Sequence, residues 1–393
     1  MYIKRIAEAR LINLAKKFPA VAIFGPRQSG KTTLAKHCFK DYKYLSLEDL
    51  DNRELAEKDP RGFLDSLKNV PGVILDEVQN VPTLLSYIQT HIDSYKKNGH
   101  FILTGSQNLL LNQAVTQSLV GRIAILTLLP LSIQELKDAK LLPEKIDEIL
   151  FKGMYPSIWA DNQDVDWYKF YINSYIERDV RNLQNIGDLS QFQKFMGLCA
   201  GRIGQVLNLS SLADDLGISV PTVKRWISVL EATYIIFLLQ PTYKNFSKRL
   251  IKAPKLYFYD PAIAASLLKI SSAHQIFDHY LRGGLFETMI LSDFKKQCYN
   301  NGIDPGLYFW RDQVGFEVDC IVETALKDIP IEIKASATLN SRFLENLTKW
   351  NNLTNTDPTE NRLIYGGPLE IKNKDGQAIN WRNSGDLIKY LAK

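Results

Sequence analysis

The sequence predicts an α/β protein whose first 135 residues form a parallel sheet with crossover helices. Short apolar runs alternate with helical patterns over this stretch, which is typical of βαβ units. The octapeptide at 25–32, GPRQSGKT, follows an apolar run at 20–24 and precedes a helix start at 33–36. This strand–loop–helix context matches G-x-x-x-x-G-K-[ST], the pattern of loops that cradle phosphate groups.

The loop supplies the first set of candidate binding residues. Gly25 and Gly30 let the backbone bend and approach phosphate oxygens, and the loop N–H groups face the anion together with the helix N-terminus. Lys31 is expected to reach the β- and γ-phosphates of ATP, and the Thr32 hydroxyl to ligate Mg²⁺. The other members of this nucleotide-binding set are Pro26, Arg27, Gln28, Ser29 and Thr33.

A second apolar strand, expected at 72–76, ends in two carboxylates, Asp76 and Glu77. Asp76 is expected to hold the Mg²⁺. Glu77 comes just past the carboxyl end of the strand, where it can polarise an attacking water as the catalytic base. A glutamate directly after that aspartate favours a nucleotide hydrolase over a kinase. The alternative interpretation is a strand end with two solvated acids.

The remaining strands of this sheet are expected at 43–47, 100–104 and 123–128, with a helix from Thr83 to Lys97 between two of them. Polar residues at the end of the fourth strand and just after it are candidate γ-phosphate sensors or water-positioning groups. They are Thr104, Ser106 and Gln107. A helix N-cap at Ser106 is an equally good interpretation.

Arg122 precedes the fifth strand and is a candidate catalytic cation. It can reach the phosphates in cis, or in trans across a subunit interface of a homo-oligomer. A surface salt bridge is the stronger alternative for this residue. Arg27, inside the loop itself, is a second cationic candidate.

Composition excludes several classes of protein. The 393 residues carry a net charge of +5, which permits an acidic partner such as nucleic acid without requiring one. The four cysteines are scattered without a C-x-x-C pair, so neither zinc nor a disulfide framework is indicated. The apolar runs are too short to span a bilayer, so no membrane partner is expected. A reduced, cytoplasmic protein is the default, and any metal should be a hard cation on oxygen ligands.

Residues 136–190 are helical in pattern and rich in aromatic and charged residues, which we interpret as a helical lid over the nucleotide. Residues 191–250 indicate a winged helix-turn-helix, with helices at 210–216 and 220–230 joined by a turn at 217–219. Three apolar residues of the second helix should face inward; these are Val223, Ile227 and Leu230.

The opposite face of that second helix should point outward, where a recognition helix reads DNA. It carries Thr222, Lys224, Arg225 and Ser228. The apolar run at 234–239 suits a wing hairpin, and the stretch 243–255 has five basic residues and no acidic one, so it is expected to contact phosphates. The alternative is that this segment only packs domains together and the basic run is solvated.

The part from 251 to 393 contains a second constellation. Asp319, separated by twelve residues from Glu332-x-Lys334, fits the D…(D/E)-x-K arrangement of metal-dependent nucleases. On neighbouring strands Asp319 and Glu332 can share one Mg²⁺ or Mn²⁺, while Lys334 on the same face orients or deprotonates the water. Glu287 from the preceding helix adds a carboxylate. Lys334 also relieves the repulsion between the acids without metal, so a structural site is the alternative.

Taken together, the chain resembles a large bacterial and archaeal family of AAA-type P-loop ATPases with a C-terminal domain related to the PD-(D/E)XK nucleases. The resemblance spans nearly the whole chain. It rests on GPRQSGKT at 25–32, LDEVQ at 75–79, LTGSQ at 103–107, GR at 121–122, YIERDV at 175–180, FE at 286–287, FWRDQVGFEVDCIV at 309–322 and PIEIKAS at 330–336.

Beside the helical lid interpreted at 136–190, the resemblance implies a P-loop ATPase sheet of AAA type at 1–135, a winged helix at 191–250 and an α/β PD-(D/E)XK nuclease-like domain at 251–393. It implies that Glu77 is the catalytic residue beside the Walker B aspartate. It leaves open whether the last domain cuts DNA. We therefore expect an ATP-hydrolysing switch or motor acting on DNA; the alternative is an ATP-regulated protein-binding adaptor with an inactive nuclease-like domain.

Overall fold

The computed structural model describes residues 1–95, 97–106, 119, 121–176, 180, 188–242, 252–304, 306–324 and 326–389. The chain divides into two compact units. The first is Met1–Leu131 with Ala232–Tyr234 and Tyr299–Gly302, and the second is Ser132–Glu231, Ile235–Cys298 and Ile303–Lys393.

The first unit is built on a five-stranded sheet with the order β2-β3-β4-β1-β5. All neighbouring strands are parallel, which confirms the expected α/β sheet. The strands are β1 (Ala20–Gly25), β2 (Lys43–Ser46), β3 (Val73–Asp76), β4 (Phe101–Ser106) and β5 (Ile123–Thr127).

Helices cover both faces of this sheet. They are α1 (Ala7–Lys17), α2 (Lys31–Cys38), α3 (Leu50–Lys58), α4 (Pro60–Asp65) and α5 (Leu84–Tyr95). Alternate residues of β1 enter different cores: Ala22 and Phe24 pack with α5, and Val21 and Ile23 pack with α1 and α2. Strands buried on both faces read as continuous apolar runs, which is why the sequence reveals them.

The carboxyl ends of the central strands meet at one edge. Gly25 at the end of β1 pairs with Ser106 at the end of β4. Ser46 at the end of β2 pairs with Asp76 at the end of β3. The loops that follow these strands therefore lie on the side of a parallel sheet where ligands bind.

The second unit begins with helices. They are α6 (Ile133–Asp138), α7 (Ile146–Lys152), α8 (Pro156–Ala160), α9 (Trp167–Tyr175), α10 (Leu189–Ala200), α11 (Leu209–Leu216) and α12 (Val220–Ala232). The expected helix-turn-helix pair corresponds to α11 and α12, and the inward residues Val223, Ile227 and Leu230 are buried as expected. Ser219 caps α12, since its Oγ accepts a hydrogen bond from the Thr222 N–H.

The eight described strands of the second unit form one sheet with the order β12-β13-β11-β10-β9-β8-β6-β7. The strands are β6 (Ile236–Pro241), β7 (Lys255–Phe258), β8 (Leu307–Arg311), β9 (Glu317–Glu323), β10 (Asp328–Lys334), β11 (Arg362–Tyr365), β12 (Ile371–Asn373) and β13 (Gly376–Asn380). Helices α13 (Pro261–Leu267), α14 (Ala273–Asp278), α15 (Arg282–Asn301), α16 (Glu345–Thr354) and α17 (Asp386–Lys389) accompany it.

The segment expected to form a wing has two neighbours in this sheet. β6 pairs antiparallel with β7, as a hairpin would. Through Gln240 and Pro241 it also pairs in parallel with β8, so it is part of the large sheet. Most of the basic stretch, residues 243–251, lies outside the described residues. Among the described helices, none is long and apolar enough to cross a membrane.

Candidate functional site

The loop between β1 and α2 has the backbone that close approach to phosphate requires. A Cβ on Gly25 would come within 2.0 Å of the Leu128 carbonyl oxygen, so only glycine fits there. Gly30 caps α2 with φ 92° and ψ 21°, a left-handed conformation that glycine adopts without strain. The loop therefore leads directly into the N-terminus of α2, where the first N–H groups of the helix are available to bind an anion.

Arg5 braces this loop, a contact that the sequence did not reveal. Its guanidinium is buried and donates hydrogen bonds to the carbonyl oxygens of Ser29 (2.8 Å) and Leu129 (2.6 Å). The Ser29 side chain is fully buried, and among the described residues its Oγ has no hydrogen-bond partner. A buried hydroxyl without a partner is unusual, and a phosphate oxygen would satisfy it.

Lys31 begins α2 and lies against the phosphate loop. Its side chain is buried, and its ammonium donates to the carbonyl oxygens of Gly25 (3.1 Å) and Pro26 (2.7 Å). The cation is thus held against the loop by neutral acceptors. An anionic phosphate is a stronger acceptor for an ammonium group than a carbonyl.

Thr32 and Asp76 meet as the sequence predicts. The Thr32 hydroxyl donates to one carboxylate oxygen of Asp76 at 2.8 Å. Asp76 is buried and also accepts hydrogen bonds from the hydroxyls of Tyr44 (2.8 Å) and Thr104. Burial and the neighbouring Asp76 raise the pKa of Tyr44 to about 12, so it remains a donor. These oxygens are the ligand class that Mg²⁺ prefers.

Glu77 follows Asp76 directly and has a backbone outside the usual region. Its φ is 57° and its ψ is 49°, a left-handed conformation that costs a non-glycine residue about 1 kcal/mol or more. Gln79 donates through its amide to Glu77 and to the Ser106 hydroxyl, the latter at 3.1 Å. Glu77, Gln79 and Ser106 therefore form one polar chain at the edge of the sheet.

The remaining candidates of the first unit are separated from this chain or lie outside the described residues. Arg122 forms a two-point ion pair with Asp93, at 2.6 and 3.0 Å, on the surface. This is the salt-bridge interpretation, and a role at the phosphates stays a prediction. Gln107 lies outside the described residues. Gln28 and Thr33 are exposed, whereas Pro26 is buried.

The four predicted nuclease-like residues come together in the second unit. β9 and β10 pair antiparallel with Cys320 opposite Ile331, so Asp319 and Glu332 are adjacent across the strands. The ammonium of Lys334 contacts Asp319 at 3.2 Å and also contacts Glu332. Asp319 accepts a further hydrogen bond from the Ile333 N–H at 2.8 Å. Burial, followed by the charge of Asp319, raises the pKa of Glu332.

Two further residues belong to this cluster. Glu317 lies two residues before Asp319 on β9, and one carboxylate oxygen from each of Glu287, Glu317 and Asp319 lies within 4.8 Å of the others. The ammonium of Lys255, on β7, contacts Glu287 at 3.2 Å and also contacts Glu317. The two-residue period of β9 could have revealed Glu317. Lys255 gave no such signal.

The position of Lys255 corrects one expectation. We expected it to contribute to an exposed basic stretch that contacts phosphates, but its side chain is only 2% exposed. Burial lowers the pKa of Lys255, but Glu287 and Glu317 raise it by more, so the ammonium stays charged. Burial also raises the pKa of Glu287. The hydroxyl of Tyr257, on the same strand, donates to Glu287.

Three family models match separate parts of the chain. Residues 17–137 match a family described as an AAA domain. Residues 143–274 match Domain of unknown function (DUF8612), and residues 282–383 match Domain of unknown function (DUF4143). The first match covers the parallel sheet and the phosphate loop, so the N-terminal part of the chain is similar to AAA domains.

Two mycobacterial proteins are similar to this chain over most of its length. Uncharacterized protein Rv2008c of Mycobacterium tuberculosis and Uncharacterized protein Mb2031c of Mycobacterium bovis are each 26% identical over 341 residues, which is 85% of this chain and 74% of theirs. Their names record no activity.

Two solved structures are also similar. The Walker-type ATPase PABY2304 of Pyrococcus abyssi is 16% identical, with a TM-score of 0.46 over 68% of this chain and 96% of that one. AMPPCP-bound DnaA from Aquifex aeolicus is 18% identical, with a TM-score of 0.31 over 57% and 86%. Likenesses at these TM-scores carry no argument about function.

Proposed function

We propose that this chain binds ATP with Mg²⁺, hydrolyses it, and acts as a switch or motor on DNA through its second unit. The observation that carries the proposal is the convergence of Lys31, the Thr32–Asp76 pair and Glu77 at the carboxyl edge of one parallel sheet. These are the cation, the metal ligands and the base that phosphoryl transfer to water requires.

Each residue has a role that follows from its contacts. The loop N–H groups and the Lys31 ammonium bind the phosphates. On binding, Lys31 exchanges its hydrogen bonds to the carbonyls of Gly25 and Pro26 for contacts with phosphate oxygens. Thr32 and Asp76 supply oxygen ligands for Mg²⁺, which neutralises phosphate charge when bound. Glu77 accepts a proton from the attacking water, with Gln79 fixing its carboxylate.

The proposed DNA contact is the outer face of α12. Lys224, Arg225 and Ser228 are exposed there, opposite the buried residues Val223 and Ile227. An exposed basic helix face next to a helix-turn can lie along the phosphate backbone or enter the major groove. This pattern supports DNA as the polymer on which the ATPase acts.

The double variant Lys224→Ala/Arg225→Ala should bind duplex DNA more weakly than the parent chain. Two lost phosphate contacts should reduce the slope of log affinity against log salt by about 2. Fluorescence anisotropy of a labelled duplex at several salt concentrations measures this. The matched control is Lys372→Ala/Lys374→Ala, which removes the same charge from exposed residues in and after β12. If the two double variants bind equally, α12 is not the contact.

ATP turnover with and without DNA tests the proposed coupling. We expect Mg²⁺-dependent release of phosphate by the full chain that rises when duplex or single-stranded DNA is added. Turnover that is unchanged by saturating DNA would remove the DNA part of the proposal and leave the ATPase part.

The second candidate function is an adaptor that uses ATP to control binding of a protein partner without cleaving nucleic acid. One observation favours it over a nuclease. Lys255 already supplies a positive charge among the carboxylates that a nuclease would use for its metal. Cleavage of linear DNA with Mn²⁺, compared between the parent chain and Asp319→Ala, distinguishes the two.

A further inference from the structure

The carboxylates of the second unit surround a space suited to one cation. Glu287 comes from α15, and Glu317 and Asp319 come from β9, with one oxygen of each within 4.8 Å of the others. Oxygen ligands around a single hard cation spread over about 4–5 Å. Glu332 gives independent evidence that the cluster can accept a positive charge. Its side chain is 3% exposed, and among the described residues its Oε2 has no hydrogen-bond partner.

Lys255 supplies positive charge at this cluster. Its ammonium contacts two of the three clustered carboxylates, Glu287 at 3.2 Å and Glu317. The side chain is 2% exposed and its ammonium lies 5.5 Å from the centre of the Phe309 ring and 5.9 Å from that of Tyr257. The ammonium is therefore buried beside two aromatic rings and two carboxylates.

The cluster and the lysine depend on each other. A buried ammonium without anionic partners is costly, and so are three carboxylates packed together without a cation. Arg311 pairs with Glu317 at 3.0 Å, and Lys334 pairs with Asp319 at 3.2 Å. With Lys255, these residues provide three positive charges beside the four acidic residues Glu287, Glu317, Asp319 and Glu332.

We propose that Lys255 is the resident cation of this cluster and that it excludes divalent metal from the folded chain. A metal ion bound by Glu287, Glu317 and Asp319 would lie within a few ångströms of the Lys255 ammonium. The repulsion between the two cations opposes metal binding, and the Lys255 side chain is only 2% exposed to solvent. The inference rests on the proposed function, because it concerns the nuclease-like site of the second unit. A site that excludes metal favours the adaptor over a nuclease.

Mn²⁺ binding to the full chain without nucleotide, measured by calorimetry or electron paramagnetic resonance, tests this inference. Lys255→Met keeps the length of the side chain and removes the charge, so it should bind Mn²⁺ at least on the order of tenfold more tightly than the parent. Lys194→Met, an exposed lysine on α10, is the matched control and should behave like the parent. Lys255→Arg retains the charge and should continue to exclude metal.

A second variant must show that the Mn²⁺ bound by Lys255→Met is held by this cluster and not by the phosphate loop. Adding Asp319→Asn to Lys255→Met should therefore remove the gained Mn²⁺ binding. Parent chain that binds Mn²⁺ as tightly as Lys255→Met, with loss in Asp319→Asn, would overturn the inference. ATP turnover measured on the same proteins is an independent readout, so failure of the ATPase proposal would not be mistaken for failure of this one.

Loss of Lys255 also has a stability readout. Without its internal cation Lys255→Met should have a lower Tm than the parent, and Mn²⁺ should raise that Tm while leaving those of the parent and Lys194→Met unchanged. A Lys255→Met chain that stays unfolded in Mn²⁺ would contradict the inference, because the metal should then replace the lost charge.

Discussion

Alanine in place of Lys31 should abolish tight ATP binding and reduce turnover by on the order of 10²-fold or more. The reason is the position of its ammonium, which is buried in the loop and donates hydrogen bonds to the carbonyl oxygens of Gly25 and Pro26. A charge-assisted contact to phosphate in such a site is worth more than one in water. Titration with a fluorescent ATP analogue and a phosphate-release assay measure the two effects.

Lys17→Ala is the control for this substitution. Lys17 is an exposed lysine in the last turn of α1, so its loss changes net charge equally without touching the loop. Both variants should keep the parent Tm to within a few degrees. Parent-like affinity and turnover in Lys31→Ala would refute the assignment of the loop.

The sheet of the first unit was predictable because its information is local. β1, β3 and β4 are buried on both faces, so each appears in the sequence as an uninterrupted apolar run. The parallel direction of the strands follows from the helices that connect them. The sequence predicted Thr32 and Asp76 separately as Mg²⁺ ligands, and in the structure a hydrogen bond joins their side chains at the carboxyl edge.

The contacts that the sequence missed join segments far apart in the chain. Arg5 reaches Leu129, which is 124 residues away, and Lys255 reaches Glu317, which is 62 residues away. Neither residue differs in its local pattern from a solvated basic residue. Lys255 ends a basic stretch, so charge patterning predicted exposure, whereas the strand pairing of β6 and β7 turns it into the core. Whether a single charged residue is buried depends on its interaction partners, and the periodicity of the sequence does not reveal those partners.

Glutamine in place of Glu77 should leave nucleotide affinity nearly unchanged and reduce turnover by on the order of 10²-fold or more. The amide keeps the shape of the carboxylate and can still accept the hydrogen bond from Gln79, but it cannot take a proton from the attacking water. Glu77 is held with φ 57°, so its side chain direction is set by a strained backbone that the substitution does not alter. A single-turnover assay with bound ATP separates this loss from any change in binding.

The matched control is Glu57→Gln, which removes the same charge from an exposed residue of α3 and should hydrolyse ATP like the parent. Glu77→Gln should also trap the chain with ATP bound, because Lys31, proposed to bind the phosphates, and Thr32, proposed to hold Mg²⁺, are unchanged. Hydrolysis that persists at the parent rate would mean that another group activates the water. Loss of both binding and hydrolysis would instead mean that Glu77 supports the loop structure. Only retained affinity with lost turnover identifies it as the base, since a group that acts on the attacking water contributes to the transition state and not to the bound ground state.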